Sequence, residues 1–453
     1  MARLSSISSG TILALGNVYG VLSAFAVLSI VFNNVDLKTF GSISLLLTSI
    51  SIFQTLFNTQ SWQGILNSSR EISASTLRLC LLIDAGTAVM GSLLLALCYA
   101  ISPKLLSEAA VPSILLLVIT NVALIPPGAL IAVIRKDGRF AHQALVDITA
   151  STLKIAIAFW WLPGATTLLP LAMALVIPES LRWLGYLALS ASRLTNRSQG
   201  SSIHKTASQS VLKDIYGFSV WGMLTEIIHL PTAHIDKLMV SAFLGLESLA
   251  IWDILKRCVT AVVQGTAVIN QMLFPYFLRA REDFSASDLN RKCFQQCFKL
   301  GSLLLLFYGI ATLTLPIWLP LAFRVDQTVW PLDRLQLIFG LFALVMTFVL
   351  GATPIHPLFL SLNHSSRNFR ISLIGNLVFF ISSGLLLPWL GLFGASLAIL
   401  SSDVFIIAAK LRMLGKPATN AMSPIAYSSV MLECSNVINQ KAVGHSKNFK
   451  DDA

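Results

Sequence analysis

The sequence places ionisable side chains inside stretches that are otherwise apolar. Lys154 stands in the middle of one such stretch and Glu179 and Arg182 in the next. Glu226, His229, Asp236 and Lys237 share a third, Asp253, Lys256 and Arg257 a fourth, and Asp84 and Asp403 lie in two more. A charge at the centre of a bilayer costs at least ~2.5–3.5 kcal/mol on insertion scales, so each of these residues is a candidate for function or for pairing with one that is. Arginine offers an anion a planar two-point fork and lysine a compact point charge, whereas a half-buried carboxylate can carry a proton or hold Na⁺.

Spacing narrows the pairings. Glu179 and Arg182 are three residues apart, and Asp253 precedes Lys256 by three and Arg257 by four, so each set shares a helix face. A turn near 242–247 would fold the third and fourth stretches into an antiparallel hairpin, bringing Lys237 to the depth of Asp253, Lys256 and Arg257. Mutual neutralisation is the plain structural reading of such a group. Asp84 and Glu226 have no evident partner within one turn. Together with Asp236 they are the candidates for a coupling proton or cation, against a hydrogen-bonded structural role. Pro231, between Glu226 and Asp236, interrupts its helix and marks a bend.

These residues are positioned by elements of one kind. Of 453 residues 55% are apolar and 12% charged, whereas a soluble domain carries about 25% charged residues. Apolar runs of ~20 residues, each long enough to cross ~30 Å of hydrocarbon, recur along the chain. They predict spans at 11–32, 40–59, 79–102, 111–134, 146–162, 168–190, 216–241, 248–275, 298–321, 335–361, 371–389 and 391–411. The fold class is therefore an all-α polytopic membrane protein of about twelve transmembrane helices. The runs are continuous and rich in Leu and Ala, unlike the alternating strands of a membrane β-barrel. The first is too long for a signal-peptide core and is read as an anchor. Of the six cysteines, Cys80 and Cys98 would lie about 27 Å apart on one helix, too far for a bridge. Cys293 and Cys297 have no further ligand near them, so no metal is expected.

With the N-terminus in the cytoplasm, the inner loops and tails hold 23 Lys and Arg residues and the outer loops hold Lys38, Lys104, Arg324 and Arg334. This bias puts both termini in the cytoplasm. It also explains the net charge of +11 without a nucleic-acid partner, since the basic residues sit in short loops with no aromatic interleaving; anionic lipid is their ordinary contact. The polar stretch 191–213 divides six spans from six, giving halves at 1–190 and 214–412 and a polar tail at 413–453 read as largely disordered. Weak echoes relate the halves: Phe40-Gly41 opens the second span as Leu244-Gly245 precedes the eighth, and Arg139 follows the fourth as Arg367 follows the tenth. Copies of one orientation are related by an axis along the membrane normal. The mixed-charge loop 279–297 is expected to form a short surface helix.

Gly16-Asn17 and Gly20 in the first span, Thr39-Phe40-Gly41 before the second, Ile235 to Val240 followed by Phe243-Leu244-Gly245, and Gln271 to Pro275 together resemble bacterial polysaccharide transporter proteins. These are lipid-linked oligosaccharide flippases of the superfamily that includes multidrug and toxin extruders. The resemblance implies two six-helix halves around a central cavity open alternately to either side of the bacterial inner membrane. It also implies an undecaprenyl-diphosphate-linked sugar as cargo and no cofactor. On that reading Lys154, Arg182, Lys237, Lys256 and Arg257 are the cations for the diphosphate. The partners are the lipid-linked oligosaccharide, membrane lipids, and a polysaccharide polymerase and chain-length regulator. One departure is His234, at a position where many relatives carry Arg or Asn.

Two other readings compete. A cation-coupled multidrug exporter would use the carboxylates, and the intramembrane charges alone do not decide between the two. A membrane enzyme, such as a polysaccharide polymerase or acyltransferase, would need a large outer loop or a catalytic histidine motif. No outer loop exceeds roughly a dozen residues, His229 and His234 sit in no such motif, and there is no nucleotide-binding sequence. The chain is not expected to be an enzyme.

Overall fold

The computed structural model describes residues 2–68, 72–101, 110–125, 127–163, 169–195, 204–260, 283–325, 327–362 and 365–414, with isolated positions between 262 and 280. The helices are α1 (Ala2–Asn34), α2 (Leu37–Phe57), α3 (Ser61–Asn67), α4 (Ala74–Ile101), α5 (Ala110–Leu124), α6 (Gly128–Lys136), α7 (Phe140–Trp161), α8 (Leu169–Thr195) and α9 (His204–Leu230). A π segment, Pro231–Ile235, leads into α10 (Asp236–Thr260). There follow α11 (Ala286–Leu313), α12 (Leu315–Ala322), α13 (Leu332–Gly351), α14 (Ile355–Ser361), α15 (Ser365–Leu390) and α16 (Leu392–Leu414). No strand occurs among the described residues.

Ten helical stretches are long and apolar enough to cross a membrane, and Val18–Asn34 is a shorter apolar helix. One of the ten, Val211–Val259, is 49 residues long, more than twice a membrane thickness. It reverses at Gly245, where φ is +84° and ψ 176°, a conformation open to glycine. The reversal is shown by contacts: Lys256 Nζ lies 2.8 Å from the carbonyl oxygen of Thr232, whereas 24 residues of straight helix would separate them by about 36 Å. Counted as a hairpin, this stretch gives spans seven and eight, and each of the twelve expected spans falls on helix among the described residues, with short breaks in some.

Proline and caps set the breaks. Span four is two helices, α5 and α6, because Pro127 stands at the start of the second and cannot donate to a continuing ladder. Pro316 in the first turn of α12 divides span nine in the same way. Asp36 caps α2 by accepting the Thr39 N–H at 2.9 Å, and Ser285 caps α11 by accepting that of Asp288 at 3.2 Å. The second part of the loop 279–297 is thus the opening of α11 and not a separate surface helix. Between the halves, α8 runs on to Thr195 and α9 begins at His204, so helix occupies both flanks of the 191–213 stretch. The segment Gln271 to Pro275, apart from Leu273, and the tail from 415 lie outside the described residues.

Residues up to Ile407 form one compact unit. Within it α1 packs along α7, α7 along α8, α2 on α4 and α4 on α5, while α11 packs on α13; α2 also lies along α10, joining the first half to the second. Their approach is close because position 41 is glycine: a Cβ there would collide with the Leu246 carbonyl. The two segments that echo each other in sequence therefore touch in space. At the same end of the bundle Phe32 meets Phe40 and Phe323 edge to face, with ring centroids 5.0 and 5.4 Å apart. Asn33 donates to the Ala322 carbonyl at 3.0 Å and accepts the Arg324 N–H at 2.7 Å. These contacts tie α1 and α2 to the end of α12 and the residues that follow it.

Candidate functional site

Helix geometry places Lys154 near the middle of α7 and puts Glu179 and Arg182 one turn apart on α8, just beyond Pro178. Because α7 packs on α8, one carboxylate serves two cations. Glu179 lies 3.6 Å from Lys154 Nζ and 2.7 Å from Arg182 Nη1. Arg182 continues through Nε to Asp147, 3.1 Å away, and Asp147 accepts the Tyr186 hydroxyl at 2.5 Å. The side chains of Lys154, Arg182, Glu179 and Asp147 are 20%, 25%, 12% and 20% exposed, so the cluster is partly open to whatever fills the space beside it.

That space is a narrow cleft of about 90 Å³ lined by Ala24, Val27, Leu28 and Val31 of α1, Phe40, Ile43, Ser44 and Leu47 of α2, Lys154, Leu171 and Leu175, and, from α10, Asp253 and Arg257. Its wall is apolar with a few convergent charges, the usual make-up of a ligand site. Both halves contribute a cation, and the charge of Arg257 acts on Lys154. Arg257 is itself held by Asp253, its Nε 3.0 Å from each carboxylate oxygen.

The hairpin carries a second group, which reaches the cleft through Asp253 and Arg257. Asp253, with no exposed surface, is shared by Arg257 and Lys237. Lys256 turns the other way, to Asp236 Oδ2 at 2.7 Å and to the carbonyls of Thr232 and Ala233 at 2.8 and 3.0 Å. Trp252 donates its indole N–H to the same Asp236 oxygen at 2.8 Å. The side chains of Lys237 and Lys256 are only 10% and 8% exposed, and neither lines the cleft.

The expected meeting of these residues across the hairpin is observed, with one exchange of partners. Spacing pairs Asp253 with both Lys256 and Arg257, but Lys256 goes to Asp236 because its four-carbon stem reaches the bend opened at Pro231. Of the carboxylates without a nearby partner in sequence, Asp84 accepts the Ser61 hydroxyl at 2.6 Å and that of Thr59, pinning the α2–α3 break to α4. Glu226 on α9 is exposed, and among the described residues no hydrogen bond or ion pair reaches it. Asp147, Tyr186 and Trp252 were not signalled by sequence. Asp147 falls at the very start of its span, where a charge is unremarkable, and only the α7–α8 packing gives it to Arg182. No group of three or more potential metal ligands occurs among the described residues.

Solved structures with this architecture are transporters. A mutant of the Vibrio cholerae MATE transporter VcmN is 15% identical, with a TM-score of 0.56 over 91% of this chain and 97% of that one. The lipid II flippase MurJ, in an inward closed conformation, is 13% identical, with a TM-score of 0.58 over 90% of this chain and 88% of its own. A MOP superfamily transporter from Pyrococcus furiosus is 13% identical, with a TM-score of 0.56 over 90% and 96%. At such identities the likeness is one of fold. No curated protein matches the sequence significantly. The chain shares the fold of the MATE and MurJ structures, and its long apolar helices make it a multi-pass membrane protein. The family model for polysaccharide biosynthesis proteins matches residues 7–281, and the chain belongs to that family.

Proposed function

We propose that the protein is a flippase for an undecaprenyl-diphosphate-linked oligosaccharide in the bacterial inner membrane, supplying a surface polysaccharide such as O-antigen, capsule or exopolysaccharide. The observation that carries this is the charge of the cleft. Its ionisable lining is Lys154, Arg257 and Asp253, and Asp253 is engaged by Lys237 and Arg257 together. The lining is therefore net cationic, which suits a diphosphate and disfavours the cationic drugs of an exporter. Lys154 and Arg257 meet the headgroup from opposite halves, and Arg182, one turn from Glu179, extends the cationic path along α8. Lipid-linked substrate and membrane lipids are the partners; a polymerase and chain-length regulator would act on the flipped product. Both termini face the cytoplasm.

The multidrug exporter keeps one specific support: solved MATE transporters match the fold as well as MurJ does. The exposed Glu226 would be its coupling carboxylate, with Asp84 and Asp236 already engaged. The deciding experiment is deletion of the gene in a strain without a redundant transporter. Loss of a surface polysaccharide with the lipid-linked repeat retained on the inner leaflet is expected. Normal surface glycan with raised drug sensitivity would replace this reading with the exporter.

A further inference from the structure

The bend in span seven holds an arrangement that cargo binding does not use. Pro231 opens a π segment, and the carbonyls of Thr232 and Ala233 there converge with Asp236 Oδ2 on Lys256 Nζ, at 2.8, 3.0 and 2.7 Å. Two peptide carbonyls and one carboxylate around a single positive centre, at an interrupted transmembrane helix, is the donor set that holds Na⁺ in membrane carriers. A fourth oxygen is also present. Asp236 is 3% exposed, and its Oδ1 is buried with no hydrogen-bond partner. An ammonium arriving on a four-carbon stem meets the carboxylate from one side only, whereas a free ion draws on every oxygen within reach. The other charges of the hairpin are occupied, since Lys237 and Arg257 share Asp253.

We propose that this is a monovalent-cation site of the sodium class whose resident cation is the chain's own Lys256 ammonium. Held covalently, that cation does not exchange with solution, so the bend keeps its charge balance whatever the salt on either side of the membrane. Removing the ammonium leaves an oxygen-lined, negatively charged vacancy for a free sodium ion. The inference is independent of the cargo, because it concerns residues behind the cleft wall.

The test uses the purified full-length protein in detergent, in sodium chloride or choline chloride at equal ionic strength, with thermal unfolding followed by tryptophan fluorescence. Ligands that bind only the folded state raise its unfolding temperature in a saturable way. Wild type is expected to unfold at the same temperature in both salts. Lys256→Met should unfold lower in choline and recover part of the loss in sodium, saturably. Lys256→Met combined with Asp236→Asn should lose the sodium response. A Lys256→Met protein indifferent to sodium, or a wild type that responds to sodium as strongly as the variant, overturns the proposal. If Lys256→Met is not recovered from membranes in choline, extraction in sodium becomes the readout: recovery in sodium alone supports the site, and recovery in neither salt refutes it.

Discussion

The two charged groups of this protein are built from the same residue types and differ in access. In the α7–α8 cluster, Glu179 serves Lys154 and Arg182 at the edge of a cleft, and the side chains keep 12–25% of their surface exposed. In the hairpin, Asp253 serves Lys237 and Arg257 with no exposure of its own. An ion pair without water cannot exchange partners cheaply, because a lone buried charge is uncompensated; a partly wetted pair can. The comparison teaches that an intramembrane cation is assigned by its own access to the cleft and not by its depth: Arg257 is 33% exposed although its counter-ion is fully buried, whereas Lys237 on the same carboxylate is not.

The sharpest way to break the comparison is to remove one carboxylate from each group. Asp253→Ala strands the buried Lys237, while Arg257 keeps its access to the cleft, and should cost about 3–5 kcal/mol, read as loss of folded protein in the membrane or a large fall in unfolding temperature. If it accumulated and unfolded like wild type, the hairpin would not be the structural group. Second in size, and on function, Lys154→Ala and Arg182→Ala should abolish complementation of surface glycan at matched protein levels. Arg291→Ala, which removes an exposed cation, should complement fully, because Coulomb energy at ~4 Å in water is only about 1 kcal/mol. Equal complementation by all three variants would remove these residues from the cargo path.

Glu179→Gln sharpens the contrast at intermediate size. Arg182 keeps Asp147, so the variant should fold, bind an anionic headgroup several-fold more tightly and turn over more slowly. Vesicle transport assays with a diphosphate-linked lipid measure both, and unchanged binding would show that Glu179 does not compete with cargo. The smallest effect is expected outside both groups, at the loop-end cap Asp36. Hydrogen bonds from the Thr39 side chain and backbone hold its carboxyl below the usual range. With the folded-state value depressed, its contribution is present above about pH 4 and is lost as pH falls through the folded value. Asp36→Ala should cost roughly 0.5–1 kcal/mol at neutral pH, and its unfolding temperature should converge with wild type on acidification. A gap that widened in acid would contradict the cap.

Spans and charges were legible because each leaves a strong local mark. Twenty apolar residues admit one solution in a membrane, and a lysine inside them is conspicuous. The 242–247 turn was readable from Leu244-Gly245, and Glu179 with Arg182 from their spacing. What could not be read depends on packing between segments distant in sequence. Lys256 and Arg257 are neighbours, yet one faces the bend and the other the cleft. Asp147 gains its partner only where α8 crosses α7, and the contact of Gly41 with Leu246 joins residues about two hundred positions apart. The breaks at Pro127 and Pro316 were marked by residue type and hidden by the apolar runs around them.

The sharing of Glu179 bears on the half of the cycle in which nothing is carried. A carrier that delivers its load on one side of a membrane has to return without it, and bare cations facing a low-dielectric wall would raise the barrier to that return. On the proposed reading Glu179 stands in for the departed phosphate and, with Asp147 on Arg182, neutralises Lys154 and Arg182 until the next headgroup takes its place. The protein would thus travel back under its own ballast, and the pace of its empty stroke would be set by how firmly one glutamate grips two neighbours.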